Sequence, residues 1–265
     1  MGEVRVGIGG WVFAPWRGGF YPKALRQAEE LSYAASRLTA IEINATYHAA
    51  QTPQRFAAWA RATPDDFKFT VKASRACTNR RILGDAGESV QRFFAQGVTE
   101  LGARLGPILW QFMPTKKYQP DDVAAFLALL PARADGLALR HCIEARHESF
   151  ATPGFVEQCR ARGVAICCAQ DEGGPLIADP TADFVYARLM RGSDDLAAGY
   201  PAADLDLWAD RLKTYALGGI PKGLPLIGST SQPAPSRDVF AFFIRSGKAR
   251  APAAAMALID RLRAM

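Results

Sequence analysis

Short runs of branched apolar residues alternate along this chain with stretches in which apolar positions recur every three or four residues. The first pattern predicts strands and the second helices. Strands are expected over residues 4–10, 40–44, 67–72, 108–112, 142–146, 165–171, 184–189 and 239–244. Helices are expected near 23–38, over 53–62, near 88–101, over 121–130, near 155–162, over 204–217 and over 253–263. Strands that alternate with helices form a parallel sheet, and eight of them predict closure. Residues 171–184 leave no room for a full helix, and Gly173, Gly174, Pro175 and Pro180 mark a loop there. Between Leu217 and Val239 four prolines (Pro221, Pro225, Pro233 and Pro235) predict a long surface excursion. The expected fold is therefore an α/β, TIM-like (β/α) barrel with a closed parallel sheet, a reduced helix after strand 6 and a long loop before strand 8. The chain has 265 residues, which suits one barrel domain over 1–265. An open doubly wound sheet is the alternative, but no Gly-x-Gly-x-x-Gly opens a helix.

Side chains alternate along a strand, so residues two apart share a face. A barrel turns its apolar outer strand face to the helices. Ile41 and Ile43 then face outward and leave Glu42 and Asn44 inside. The same rule leaves Thr70 and Lys72, Glu144 and Arg146, and Tyr186 and Arg188 inside. In the first strand it puts Gly7, Gly9 and Trp11 on the inner face. Gln111 ends the fourth strand and Asp171 the sixth. Five strands thus end in charge: Glu42, Lys72, the Glu144 and Arg146 pair, Asp171 and Arg188. A single charged strand end reads as a cap or surface ion pair. A ring of them must be mutually paired or kept for a ligand, because an unpaired buried charge costs several kcal/mol. In barrel enzymes this end carries the site.

Composition narrows the chemistry. The 32 basic and 26 acidic residues leave a net charge of +6, which favours an anionic partner without naming one. No apolar run approaches the roughly 20 residues of a membrane span, so no membrane partner is expected. The start MGEVRVGIGGWVF lacks a basic segment followed by an uninterrupted apolar one, and the five cysteines read as reduced thiols. Both point to a cytoplasmic protein. Cys142 and Cys168 sit among apolar neighbours and read as small buried hydrophobes. With only His48, His141 and His147 in the chain, no zinc cluster is expected. His147 reads as a packing residue. Glu42, Glu144 and Asp171 offer oxygen ligands to a divalent metal, but Lys72, Arg146 and Arg188 crowd the same cavity with positive charge. No metal and no other cofactor is therefore expected.

Several segments carry a resemblance: GIGGW at 7–11 with PW at 15–16 and FYP at 20–22, EINATY at 42–47, FKFTVKASR at 67–75, LGPILWQF at 105–112, IEARHESF at 143–150 and YARLMRG at 186–192. Taken together, and in this order, they resemble the YecE-like family, also catalogued as domain of unknown function 72. The resemblance implies a TIM-like barrel and carries no assigned reaction. The chain departs from the family in two places. Arg245, Ser246 and Lys248 stand where many members end strand 8 in an Asn-rich turn, and Phe150 stands where members often have Trp.

The leading expectation is an enzyme that acts on a small polar or anionic, sugar-like metabolite by acid–base chemistry, as an isomerase, lyase or hydrolase. Glu42, Lys72, Glu144 and Asp171 are the candidate catalytic residues. Trp11, Asn44, Tyr47, Gln111, Arg146 and Arg188 are the candidate substrate-binding residues, with Trp16 a further aromatic at the mouth. Glu42 has no cation two residues away on its strand, so burial is expected to raise its pKa and make it the titrating residue, with Lys72 as its partner. The alternatives are a metal-dependent phosphodiesterase of endonuclease-IV-like type and a non-enzymatic nucleotide- or nucleic-acid-binding module.

Overall fold

The computed structural model describes residues 1–171, 173–228 and 236–265. Its eight long strands close into one parallel barrel. In chain order they are β1 (Val4–Gly9), β2 (Ala40–Ile43), β3 (Lys68–Lys72), β4 (Leu105–Gln111), β5 (His141–Glu144), β6 (Ala165–Gln170), β7 (Phe184–Arg191) and β8 (Asp238–Ser246). Each pairs with the next, and β8 returns to β1 through Val4 opposite Val239 to Ile8 opposite Phe243. Among the described residues the α-helices of six or more residues are α1 (Glu30–Ala35), α2 (Pro53–Arg61), α3 (Gly87–Phe94), α4 (Pro120–Ala128), α5 (Pro153–Ala161), α6 (Ala202–Ala216) and α7 (Ala251–Ala264). Among the described residues no helix is long and apolar enough to cross a membrane.

The outer strand faces meet these helices through a continuous apolar layer. It includes Ile41, Ile43, Phe69, Val71, Ile143, Val185 and Ala187, the residues that alternation sends outward. The interior is filled lower down by Leu109, Cys142, Cys167, Phe184, Tyr186, Phe240 and Phe242. Phe240 stacks edge-on against Phe184, and Tyr186 lies 5.2 Å from Phe242, ring to ring. This packed floor leaves the carboxyl ends of the strands as the place where the interior opens. β1 and β2 approach closely because residue 7 is glycine: a Cβ there would lie 1.9 Å from the Ala40 carbonyl oxygen. Gly7→Ala is expected to cost about 1–3 kcal/mol as an overpacking change, read as a lowered urea midpoint with unchanged slope. An unchanged midpoint would mean that the two strands separate freely.

The segment after β6 carries no helix among its described residues, in keeping with its glycines and prolines. Part of the excursion before β8, including Pro233 and Pro235, lies outside the described residues. Three boundaries differ from expectation. The first helix shrinks to a 3₁₀ turn (Gln27–Glu29) followed by α1, and residues 23–26 remain outside it. The third is cut at Gly97, whose φ of +85° starts a separate 3₁₀ segment, Val98–Arg104. β5 ends at Glu144, so Arg146 stands beyond the strand and its direction is set by the loop.

Candidate active site

At the carboxyl ends of the strands lies a cavity of about 430 Å³. Glu144, Arg188, Lys72 and Gln111 form its deeper wall, and Arg146, Arg245 and Lys248 its rim. Gly9, Asn44, His48 and Trp16 line it on the side of β1 and β2.

The deepest layer is a closed hydrogen-bond network. Arg188, near the end of β7, donates from Nε and Nη2 to the two carboxylate oxygens of Glu42, at 3.2 and 3.0 Å. Its Nη1 donates to Glu144 Oε2 at 2.5 Å. Tyr186, two residues earlier on the same face, donates its hydroxyl to Glu42 Oε2 at 2.6 Å and lies 2.9 Å from Thr70 Oγ1. Glu144 Oε2 also accepts from Gln111 Nε2 at 2.8 Å. One guanidinium thus bridges two buried carboxylates from strands that are not neighbours, β2 and β5. Charged pairs at such depth persist only when every partner is satisfied.

Burial by itself would raise the Glu42 pKa. The charge of Arg188, the Tyr186 hydroxyl and the charge of Lys72 outweigh it and hold the carboxyl below its ordinary value. The expectation of a titrating Glu42 with a raised pKa is therefore overturned. The cation that matters is two residues away on no strand; it crosses the barrel from β7. Lys72 is also not its hydrogen-bonding partner. β2 and β3 set Glu42 opposite Thr70, and the Lys72 ammonium reaches Gln111 Oε1 at 2.8 Å instead.

Lys72 has the opposite character. Its Nζ sits 4.0 Å from the centre of the Tyr47 ring, on the short helix Ala45–His48 that follows β2. Thr46 on that helix donates to the Lys72 carbonyl at 2.7 Å and ties the turn to the end of β3. Burial and then the neighbouring Arg188 charge push the amine down to about 8, against the pull of Glu42 and Glu144. A lysine near this value exchanges its proton close to neutral pH.

Arg146 lies 4.0 Å from Glu144 and 3.6 Å from Asp171. Arg245 reaches Asp171 at 2.5 Å. Asp171 thus stands behind two rim cations. Asn44 lines the cavity and donates to its neighbour, the Glu42 backbone carbonyl, at 3.4 Å.

Trp11 lies elsewhere. β1 ends at Gly9, and Gly10 takes a φ of +71°, so the alternation of facing stops there. The Trp11 ring packs 5.2 Å from Trp59 of α2 and 6.3 Å from Phe69, on the outside of the barrel. Trp16 takes the inner place, with its indole Nε1 donating to the Lys248 carbonyl at 2.8 Å. His48 also lines the cavity, and strand alternation does not predict it because a helical turn, rather than the strand, carries it there. His147 caps the turn Glu148–Phe150 by accepting from the Ser149 amide at 3.2 Å. Burial raises the thiol pKa of Cys142 and Cys167 and takes Cys168 up to about 12, which suits inert packing residues. Among the described residues no three His, Cys, Asp or Glu side chains are grouped to hold a metal ion. The three acids that invited that reading each face a cation.

A closed parallel barrel with a charged cavity at its carboxyl ends defines a protein of the TIM-barrel class. Within that class the chain belongs to the family described as protein of unknown function DUF72, whose match runs over residues 5–265; YecE-like is another name for the family. A curated relative, the UPF0759 protein YunF of Bacillus subtilis (strain 168), is 25% identical over 160 residues. That stretch covers 58% of this chain and 55% of YunF, so the match spans about half the length of the relative. A solved DUF72 family protein from Thermotoga maritima MSB8 superposes with a TM-score of 0.72 at 21% identity, covering 99% of this chain and 98% of that one. The same barrel recurs more distantly in SacUVDE, with a TM-score of 0.56 at 8% identity over the full length of both chains. It recurs also in D-psicose 3-epimerase, with a TM-score of 0.50 at 12% identity over 98% of this chain and 96% of that one. These likenesses establish the fold.

Proposed function

We propose that this protein is an enzyme that acts on a small polar, anionic metabolite by proton transfer, with Lys72 as the residue that exchanges the proton. The observation that carries this reading is the contrast between Lys72 and the carboxylates. Glu42 and Glu144 are both held by Arg188, whereas the Lys72 amine faces the cavity with its pKa pushed down to about 8. A group that titrates near the working pH is the one suited to acid–base catalysis. Gln111 and the Tyr47 ring fix the amine, and Arg188 neutralises the acids that would otherwise hold it permanently charged. Cations at the rim supply the attraction for an anionic substrate. No step in this reading calls for a bound metal, and elemental analysis of the purified protein is expected to find no stoichiometric transition metal. About one metal per chain would instead favour the metal-dependent phosphodiesterase.

Solvent exchange tests the assignment. Small hydroxy and oxo acids and phosphorylated sugars are incubated with the protein in deuterium oxide, and loss of carbon-bound protons is followed by NMR. Exchange into at least one compound is expected, with a rate that rises as pH passes through about 8, since the neutral amine is the base. Lys72→Met is expected to lower that rate by about 10²–10⁴. A variant that exchanges at the wild-type rate would remove Lys72 from the chemistry.

A further inference from the structure

The charges of this cavity are divided between its floor and its rim. At the floor Arg188 and Lys72 stand with Glu42 and Glu144, each arginine nitrogen that donates there meeting a carboxylate. Two positive charges meet two negative ones, and the floor is neutral when Lys72 is protonated. At the rim Arg146, Arg245 and Lys248 line the opening, with Asp171 behind the two arginines. Among the described residues this leaves the rim with two positive charges in excess. The Lys248 ammonium lies over the Phe13 ring, 4.3 Å from its centre, and has no carboxylate partner among the described residues.

The backbone directs this charge inward. The pairing of β8 with β7 shifts register between Phe243 and Ser246. Within the shift Arg245 adopts a φ of +65°, the left-handed region that a side chain enters only at a cost. A bulge of this kind re-aims a side chain, and here the guanidinium turns across the strand ends to Asp171 on the far side of β7. Asp171 orients Arg245 and Arg146 while cancelling one of their charges.

We infer that the rim of the cavity binds a dianionic oxyanion, the phosphoryl group of the substrate, through Arg146, Arg245 and Lys248. A phosphoryl group carries nearly two negative charges at neutral pH and several acceptor oxygens, which match the rim's excess and the planar donor forks of two arginines. A carboxylate would leave one rim charge uncompensated. The inference rests on the reading of the cavity as a substrate site and names the substrate class: phosphorylated small metabolites, with the remainder of the molecule reaching the floor at Lys72.

Inorganic phosphate, a phosphomonoester (glycerol 3-phosphate) and acetate are titrated calorimetrically against the full chain at constant ionic strength. Phosphate and the monoester are expected to bind, and acetate to bind at least about tenfold more weakly, given the loss of one charge and one acceptor. Tighter binding of the monoester identifies a metabolite's phosphoryl end; tighter binding of inorganic phosphate identifies free phosphate as the ligand. Arg245→Ala combined with Lys248→Ala is expected to weaken phosphate by more than about tenfold. Both side chains are exposed, and circular dichroism checks that the fold is retained. Arg191→Ala, an exposed cation outside the lining, should leave the affinity unchanged. Equal binding of acetate, or unaltered phosphate affinity in the double variant, would overturn the inference. Lys72→Met keeps the rim intact. Retained phosphate binding with undiminished proton exchange in that variant would sink the Lys72 assignment and leave the phosphoryl site standing.

Discussion

Arg188→Met is expected to be the most destabilising single change at the site. It removes the one guanidinium that satisfies Glu42 and Glu144 together and leaves two buried carboxylates without it. Breaking a buried pair by removing one partner costs about 3–5 kcal/mol. For a domain of this size that lowers Tm by roughly 6–20 °C. The pH dependence should also change sign. In the wild type the Glu42 pKa is lowered in the folded state, so its contribution is present above the unfolded carboxyl value and is lost as pH falls through the folded one. In the variant, burial acts on Glu42 without the arginine's charge and raises its pKa. The folded state then takes up a proton more readily than the unfolded chain, and stability is gained on acidification toward pH 5. Replacing Glu42 and Glu144 with Gln in the same background should recover part of the loss, because neutral amides cost less to bury than unpaired charges. Thermal melts of the three proteins at pH 5 and pH 7.5 decide the matter. A Tm within 2 °C of wild type for Arg188→Met, or no gain at low pH, would mean that the network contributes little and that water reaches Glu42 freely.

The inner-facing positions were legible because the strands are regular. Two-residue alternation is a property of the backbone, and it placed Glu42, Thr70, Lys72, Glu144, Tyr186 and Arg188 correctly wherever the strand persisted. It failed for Trp11 because Gly10 breaks the strand one residue earlier. It did not govern Arg146, because β5 stops at Glu144. The pairing of these residues was not legible. Which carboxylate meets which cation depends on distances across the barrel, and Arg188 is separated from Glu42 by 146 positions in the chain. A rule that looks two residues along one strand cannot see it, so it predicts a raised pKa for a carboxyl that Arg188 helps to hold below its ordinary value. Another feature is carried by a local signal in the sequence. Asp135 and Gly136, both at positive φ, turn a two-stranded hairpin of Arg133–Ala134 with Leu137–Ala138, and Asp-Gly is a hairpin signal in its own right. The departure at Arg245 and Lys248 was visible as a difference from the family. The fold places both side chains on the rim of the cavity, and the register shift of β8 turns Arg245 toward Asp171.

Lys72→Met is expected to stabilise the protein while lowering the proposed proton exchange. The Lys72 amine is brought down to about 8 in the folded state by burial and by the Arg188 charge. The folded protein therefore holds the lysine proton less tightly than the unfolded chain. Between about pH 8 and the ordinary lysine value the unfolded chain binds more protons, so wild-type stability rises with pH across that window. Below pH 8 the buried ammonium is charged at full cost. Methionine has a similar unbranched stem and carries no charge, so it escapes that cost. It also leaves the Gln111 carboxamide oxygen without its lysine donor, which offsets about 1 kcal/mol. A net gain of about 1–2 kcal/mol at pH 7 is expected, shrinking toward zero or reversing by pH 10. Urea midpoints for wild type and variant at pH 7, 8.5 and 10 measure both the gain and its decay. A variant less stable than wild type at pH 7, with a gap that does not depend on pH, would show that Lys72 is an ordinary paired lysine. The expected result instead shows Lys72 kept at a cost to stability, as the proposed role in proton transfer requires.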